Sequence, residues 1–387
     1  MNRNFMKIPF HKAYIGREEA EAAADVIKSG WLTMGEKTFR FENDFSAYTG
    51  AENSVAVNSC TAALHLALKA VGLRPGDEVI IPAMTFIATW EVITYSGAKP
   101  VLADIDPGSF LVNPAEIEKK ITQKTRAIIP VHYGGEACDM DVIMDMARRH
   151  RLYVIEDAAH ALPTLYKGRM VGTLGDITCF SFYATKTITT GEGGMITTAD
   201  GEMAERMRRL RLHGITRDAW NRYSEKGTWQ YDVSEPGYKY NITDIAAAIG
   251  IEQLKKCDMM NSMRHQIAAA YNRAFRGSGL LHTWEVRDDN ECAWHLYPVL
   301  VNTDAVSIGR DELIEKLKDA GIGTGVHYIP MYRFSCFDGS GWSASGFPGS
   351  EYMFARQLSL PISPGMTESE TGYVADTLLS ILNGNRR

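Results

Sequence analysis

Short runs of apolar residues alternate with longer helix-period segments along the first two thirds of the chain. Residues 55–58 read as a strand, followed by a helix over 60–71. Further strands are expected at 77–82, 101–105, 127–132, 153–157, 178–182 and 194–198. These runs are apolar throughout, without the alternation of a half-exposed sheet. Strands buried on both faces and separated by helices predict an α/β fold with a mostly parallel, doubly wound sheet of seven strands sandwiched by helices. Such sheets place ligands beyond the carboxyl ends of their strands. Three ends carry polar groups: Asn58-Ser59, Asp157 and Ser181.

The pattern changes after Asp244. One long helix is expected over 244–275, then strands at 294–301 and 323–328 flanking a helix over 310–318. This reads as a small α+β C-terminal domain. The predicted division is a large domain over 1–250 and a small one over 251–387. The Gly- and Ser-rich stretch 339–349 reads as a surface loop. No internal repeat or low-complexity run occurs.

Composition narrows the class. The chain has 387 residues, of which 45% are hydrophobic and 23% charged, within the ordinary globular range. That excludes wholesale disorder and a disulfide-dense small scaffold. A formal net charge of −6 gives no bulk attraction to nucleic acid or anionic lipid. The longest weakly charged apolar stretch, 79–90, is too short to span a bilayer, and no signal peptide is read at the N-terminus. None of the six cysteines forms a C-x-x-C pair or a zinc-ligand spacing, so no metal is expected. Free thiols fit a cytoplasmic protein.

The chemistry concentrates in three strings. They are Glu156-Asp157-Ala158-Ala159-His160, Phe180-Ser181-Phe182-Tyr183-Ala184-Thr185-Lys186, and Thr189-Thr190-Gly191-Glu192-Gly193-Gly194. An acid at one strand end and a lysine after a later strand suit a pyridoxal phosphate site. The lysine forms the Schiff base, and the acid keeps the pyridine nitrogen protonated. Asn58-Ser59-Cys60-Thr61 opens a helix after a strand and offers N–H groups and hydroxyls to a phosphate. Each piece has a plainer reading: Asp157 as a cap, Lys186 as a solvated charge, His160 as a core histidine, the glycines as a tight turn. Only their conjunction favours the site.

With these strings the chain resembles the DegT/DnrJ/EryC1/StrS family of sugar aminotransferases, within the fold-type I pyridoxal phosphate enzymes. The likeness runs from Ile8-Pro9-Phe10 and Gly30-Trp31-Leu32-Thr33 through the strings above to Gly323-Thr324-Gly325-Val326-His327-Tyr328. The resemblance implies catalytic and cofactor-binding roles for Lys186, Asp157 and His160. It implies that Phe86 stacks on the cofactor ring, and that Ser59, Cys60, Thr61 and Ser181 hold its phosphate. Most members carry Gly at the position of Cys60, a change that a backbone N–H contact survives. Asn241 would reach the phosphate from a second copy in a homodimer with shared active sites; alternatively it caps a helix. Trp31, Thr33, Tyr183, Arg217, Arg222, His327 and Tyr328 would contact substrate.

The implied reaction moves the amino group of L-glutamate to a nucleotide-linked keto sugar. The histidine of Asp157-x-x-His160 favours 4-keto over 3-keto substrates, by likeness to the UDP-4-amino-4-deoxy-L-arabinose synthase branch. A keto-cyclitol substrate and a cofactor-binding regulator are the rivals. A same-fold dehydratase carries His in place of the lysine, and Lys186 speaks against it.

Overall fold

The computed structural model describes residues 6–215, 231–337 and 341–387. A seven-stranded sheet forms its centre. In chain order its strands are β1 (Asn53–Val57), β2 (Glu78–Pro82), β3 (Lys99–Ala103), β4 (Thr125–Ile128), β5 (Tyr153–Asp157), β6 (Ile177–Ser181) and β7 (Gly194–Thr198). Their spatial order is β1-β7-β6-β5-β4-β2-β3. Only β7 runs antiparallel to its neighbours; the pairings among β2 to β6 are parallel.

Successive side chains on each strand serve opposite faces. Ala56, Ile80, Ile128, Val154, Phe180 and Met195 enter one apolar cluster. Val57, Ile81, Ile129, Ile155, Cys179 and Ile196 enter a second one. The helices follow this division. Helices α2 (Glu36–Thr49), α5 (Pro114–Lys120), α6 (Met140–His150), α8 (Asp244–Lys255) and α9 (Cys257–Phe275) belong to the first face, and α1 (Arg17–Ser29) packs on α8. Helices α3 (Cys60–Ala70), α4 (Ile87–Thr94) and α7 (Gly201–Leu210) cover the second. Two-sided burial is the physical reason that the strands read as continuous apolar runs.

Beyond α9 a second, antiparallel sheet has the order β8 (Leu281–Thr283), β9 (Tyr297–Val301), β10 (Gln357–Leu360). Helices α10 (Arg310–Asp319), α11 (Pro348–Arg356) and α12 (Glu368–Asn383) accompany it. The first apolar cluster continues into this part through Tyr271, Trp294, Tyr297 and Leu358.

Three local expectations are corrected. The long helix over 244–275 is two helices, broken at Lys256 (φ −98°, ψ −1°). The Lys256 amine is tied to Glu18 at 2.9 Å and to Glu19, across the chain on α1. Residues 323–328 form no strand; the segment makes one isolated bridge, Gly325 with Ser359, just after the bridge of Ile322 with Ile8. The strand expected at 127–132 ends at Ile128, although Val131 still bridges to Asp157. Residue 250, where the sequence-based division was placed, lies inside α8. All six cysteines are free, and Cys138, Cys179, Cys257 and Cys292 are buried. Among the described residues no helix is long and apolar enough to cross a membrane.

Candidate active site

The site forms where β1 and β6 end and β7 begins. Gly194 pairs with Val57 on one side and Ser181 on the other. Ser59 follows immediately and caps α3: its Oγ accepts the Ala62 N–H at 3.1 Å. A Cβ on Gly194 would lie 2.7 Å from the Ser59 carbonyl group and 2.9 Å from the Cys60 nitrogen. Only glycine lets β7 approach the helix start this closely. The N–H groups of Cys60 and Thr61 find no acceptor among the described residues, as expected at a helix N-terminus.

Beside this helix start lies a cavity of about 580 Å³, within the range of small-molecule sites. It is lined by Ser59, Cys60, Thr61, Phe86, Asp157, His160, Ser181, Tyr183, Lys186, His327 and Tyr328. Eleven sequence-derived site residues thus meet in one place.

Asp157, at the end of β5, is 5% exposed. Thr89 donates its hydroxyl to Oδ2 at 2.9 Å, and the Ala159 N–H donates to Oδ1 at 3.1 Å. Burial pushes its carboxyl group up; the two hydrogen bonds and the Lys186 charge pull the other way. The preceding residue, Glu156, points to the other face. There it accepts from His132 Nε2 at 2.7 Å, Thr178 Oγ1 at 2.6 Å and the Gly175 N–H at 2.8 Å. This buried network anchors the strand end that carries Asp157.

Lys186 sits in the segment joining β6 to β7. Burial lowers its amine to about 8, partly opposed by Cys60 and Asp157. The same enclosure raises the Cys60 thiol, so Cys60 is not a nucleophile at neutral pH.

The far wall comes from the C-terminal part. The turn Tyr133-Gly134-Gly135 holds it in place. Gly134 and Gly135 have φ of 65° and 107°, and their carbonyls accept the Leu296 and Ala293 N–H groups at 3.2 and 2.9 Å. Thereby His295 enters the cavity lining, its ring 4.3 Å from that of His160. His327 accepts or donates at 3.0 Å with Ser359 Oγ and stacks on Phe10. Burial lowers His160 and His295 well below the usual imidazole range and His11 and His327 to about 4. All four rings are neutral at physiological pH.

Other expected residues are not gathered. Trp31 and Thr33 are exposed and lie outside the cavity lining. Their segment is fixed by Asp244, whose carboxylate accepts the N–H groups of Gly35, Lys37 and Thr38 at the start of α2. Asn241 bridges to Val57 and is not a lining residue of its own chain. Its amide nitrogen bonds the Ile242 carbonyl, and its amide oxygen is buried without a partner among the described residues. Nor does it cap a helix; Thr243 caps α8. Arg217 and Arg222 lie outside the described residues. Conversely, Thr89, His11 and His295 belong to the site and were not anticipated, while Glu192 of the third string also lines the cavity. Thr89 stands three residues after Phe86 at the start of α4, the one local signal available for it.

These residues fit pyridoxal phosphate. An open helix N-terminus suits the phosphate, a buried carboxylate suits a protonated pyridine nitrogen, and a buried amine of lowered basicity suits an aldehyde.

Comparison with known proteins agrees. The model of the DegT/DnrJ/EryC1/StrS aminotransferase family matches residues 13–379. The chain is 49% identical over 380 residues to uncharacterized protein MJ1066 of Methanocaldococcus jannaschii, spanning 98% of each. It is 46% identical over 379 residues to spore coat polysaccharide biosynthesis protein SpsC of Bacillus subtilis, spanning 97% of each. Among solved structures, putative sugar aminotransferase Spr1654 of Streptococcus pneumoniae, in its PMP form, superposes with a TM-score of 0.92 at 34% identity, covering 98% of both chains. The same protein has been solved in its PLP form.

Proposed function

Because this chain belongs to the DegT/DnrJ/EryC1/StrS aminotransferase family, we propose that it transfers the amino group of L-glutamate to C4 of a nucleotide-linked keto sugar. The chain is a pyridoxal-phosphate-dependent enzyme of the sugar aminotransferase family, with the fold of type I pyridoxal phosphate transferases. The donor, the nucleotide carrier and the carbon aminated are our assignment, as is a place in the synthesis of surface polysaccharide, glycan or antibiotic sugars.

One observation carries it: Lys186 and Asp157 line a single cavity whose floor is the N-terminus of α3. When bound, pyridoxal phosphate supplies an aldehyde that takes up the amino group and a ring that accepts an electron pair. Ser59, Cys60, Thr61 and Ser181 hold the phosphate. Asp157 keeps the proton on the ring nitrogen, aimed by Thr89 and Ala159. Phe86 covers the ring. Lys186 would take the proton from the donor's α-carbon and pass it to the cofactor carbon that carries the nitrogen, and the reverse transfer would serve the acceptor. Its lowered basicity lets it act as a base near neutral pH.

Trp31, Thr33, His327 and Tyr328 line the sugar pocket, Tyr183 contacts the sugar or the diphosphate, and Arg217 and Arg222 meet the nucleotide diphosphate. The division into residues 1–250 and 251–387 belongs to the same proposal, the smaller part covering the cavity. So does a homodimer in which Asn241 of a second copy completes the phosphate site. That contact requires the Asn241 side chain, buried in its own chain here, to turn outward.

The test loads the enzyme with cofactor, exhausts its visible absorbance with glutamate, and adds a panel of keto sugars linked to UDP, dTDP or GDP. Return of the absorbance with a 4-keto sugar supports the proposal. No change with glutamate overturns it. Return with a keto-inositol and with no nucleotide sugar transfers the assignment to a cyclitol.

A further inference from the structure

Gly134, His160 and Tyr328 form a hydrogen-bond chain that runs in one direction. The Gly134 N–H donates to His160 Nδ1 at 3.2 Å, and His160 Nε2 lies 2.9 Å from the Tyr328 hydroxyl. A backbone N–H can only donate, so Nδ1 must present its lone pair. The single proton of the neutral ring therefore sits on Nε2 and is given to the Tyr328 oxygen. A hydroxyl that accepts from His160 must send its own proton elsewhere. Tyr328 lines the cavity, and its hydroxyl makes no other hydrogen bond among the described residues.

The ring cannot easily change state. Protonation would put an Nδ1–H against the Gly134 N–H. The groups that face His160 are the neutral rings of His295, Tyr133 and Tyr328, while burial and the Lys186 charge oppose a positive charge there. Gly134 is itself fixed, with φ of 65° and its carbonyl bonded to the Leu296 N–H.

We propose that His160 is a positioning residue: locked as the Nε2–H tautomer by Gly134, it makes the Tyr328 hydroxyl an obligate donor to a carbonyl or hydroxyl oxygen of the keto substrate. The inference rests on the aminotransferase assignment above. The surroundings favour a sugar oxygen over a carboxylate of the amino donor. His160, His295 and His327 are neutral, and no arginine is among the described lining residues. A carboxylate is best met by a charged partner, whereas a sugar oxygen is matched by neutral donors.

Three variants of the cofactor-loaded enzyme test this: Tyr328→Phe, His160→Leu and His160→Gln. Glutamine presents a carbonyl to Gly134 and an N–H to Tyr328, so it preserves the direction of the chain. Single-turnover rates are read for amine uptake from glutamate and for amine transfer to UDP- and dTDP-linked 4-keto-6-deoxyhexoses. Tyr328→Phe and His160→Leu are expected to slow transfer about tenfold, the loss of one hydrogen bond to a reacting substrate. The loss in uptake should be several-fold smaller than the loss in transfer. His160→Gln should restore transfer to within about threefold of the parent with an unchanged pH profile; a lost general acid or base would cost about 10²–10⁴-fold.

Nitrogen-15 NMR of the holoenzyme gives a readout independent of turnover. His160 should show a protonated Nε2 and no titration across neutral pH. Equal losses in both half-reactions for Tyr328→Phe, a Gln variant as impaired as Leu, or an Nδ1–H tautomer would each overturn the inference. A parent enzyme inert toward glutamate would overturn the functional assignment instead, and the NMR result would still decide the tautomer.

Discussion

Thr89, in the first turn of α4, donates its hydroxyl to Asp157 Oδ2 at 2.9 Å. It is fully buried, and its partner lies 68 residues away. The bond holds the acid in one rotamer and stabilises its charged form against burial. Thr89→Val keeps the shape and removes the donor. A hydrogen bond to a charged group is worth about 1.5–3 kcal/mol, so kcat/KM should fall roughly 10- to 100-fold. Steady-state kinetics check this, with the thermal midpoint of the cofactor-free chain as control for general unfolding.

Capture of the cofactor should follow the ionisation of Lys186. Only the neutral amine attacks an aldehyde. Burial lowers this amine to about 8, so the neutral fraction grows as pH rises through that value and saturates above it. The rate of absorbance gain after adding pyridoxal phosphate to the cofactor-free enzyme should rise to a plateau with a midpoint near 8. A rate still climbing toward the ordinary lysine range would contradict the enclosure described above. Lys186→Ala should abolish both the absorbance and transamination.

Gly194→Ala should damage the phosphate end without touching Lys186 or Asp157. The added methyl group would lie 2.7 Å from the Ser59 carbonyl, so α3 must back away from β7. Overpacking of this kind costs about 1–3 kcal/mol. The expected outcome is a lower unfolding midpoint together with weaker pyridoxal phosphate binding, measured by titration of the cofactor-free chain.

Arg211 and Glu42 form a buried ion pair, both also bonded to the backbone of Ala56 on β1. The pair joins α2 and the end of α7 to the strand that leads into Ser59. Arg211→Met strands a buried carboxylate and should cost roughly 3–5 kcal/mol of stability. Arg211→Met combined with Glu42→Leu should cost less than Arg211→Met alone. Denaturant unfolding of the two variants decides whether the charge, rather than the packing, is responsible.

The sequence by itself determined the sheet, because strands covered on both faces must be apolar at every position. It also determined the neighbourhood of Asp157, Lys186 and Ser59. Those residues lie at or within five residues of strand ends that the topology brings to one edge, so local spacing carried the information. It did not disclose the break at Lys256, whose amine is tied to a pair of glutamates on α1. Nor did it disclose the loop character of 323–328, which is held by a bridge to a distant segment. The tertiary structure alone decided that Thr89 aims Asp157, that His295 lies against His160, and that Gly134 sets the proton of His160. Each depends on a contact between residues far apart in the chain; Tyr328 stands 168 residues from the histidine it accepts from. Hydrophobic periodicity reports which face of an element is buried. It does not report which polar group meets which, because hydrogen-bond direction is fixed only once the elements have docked.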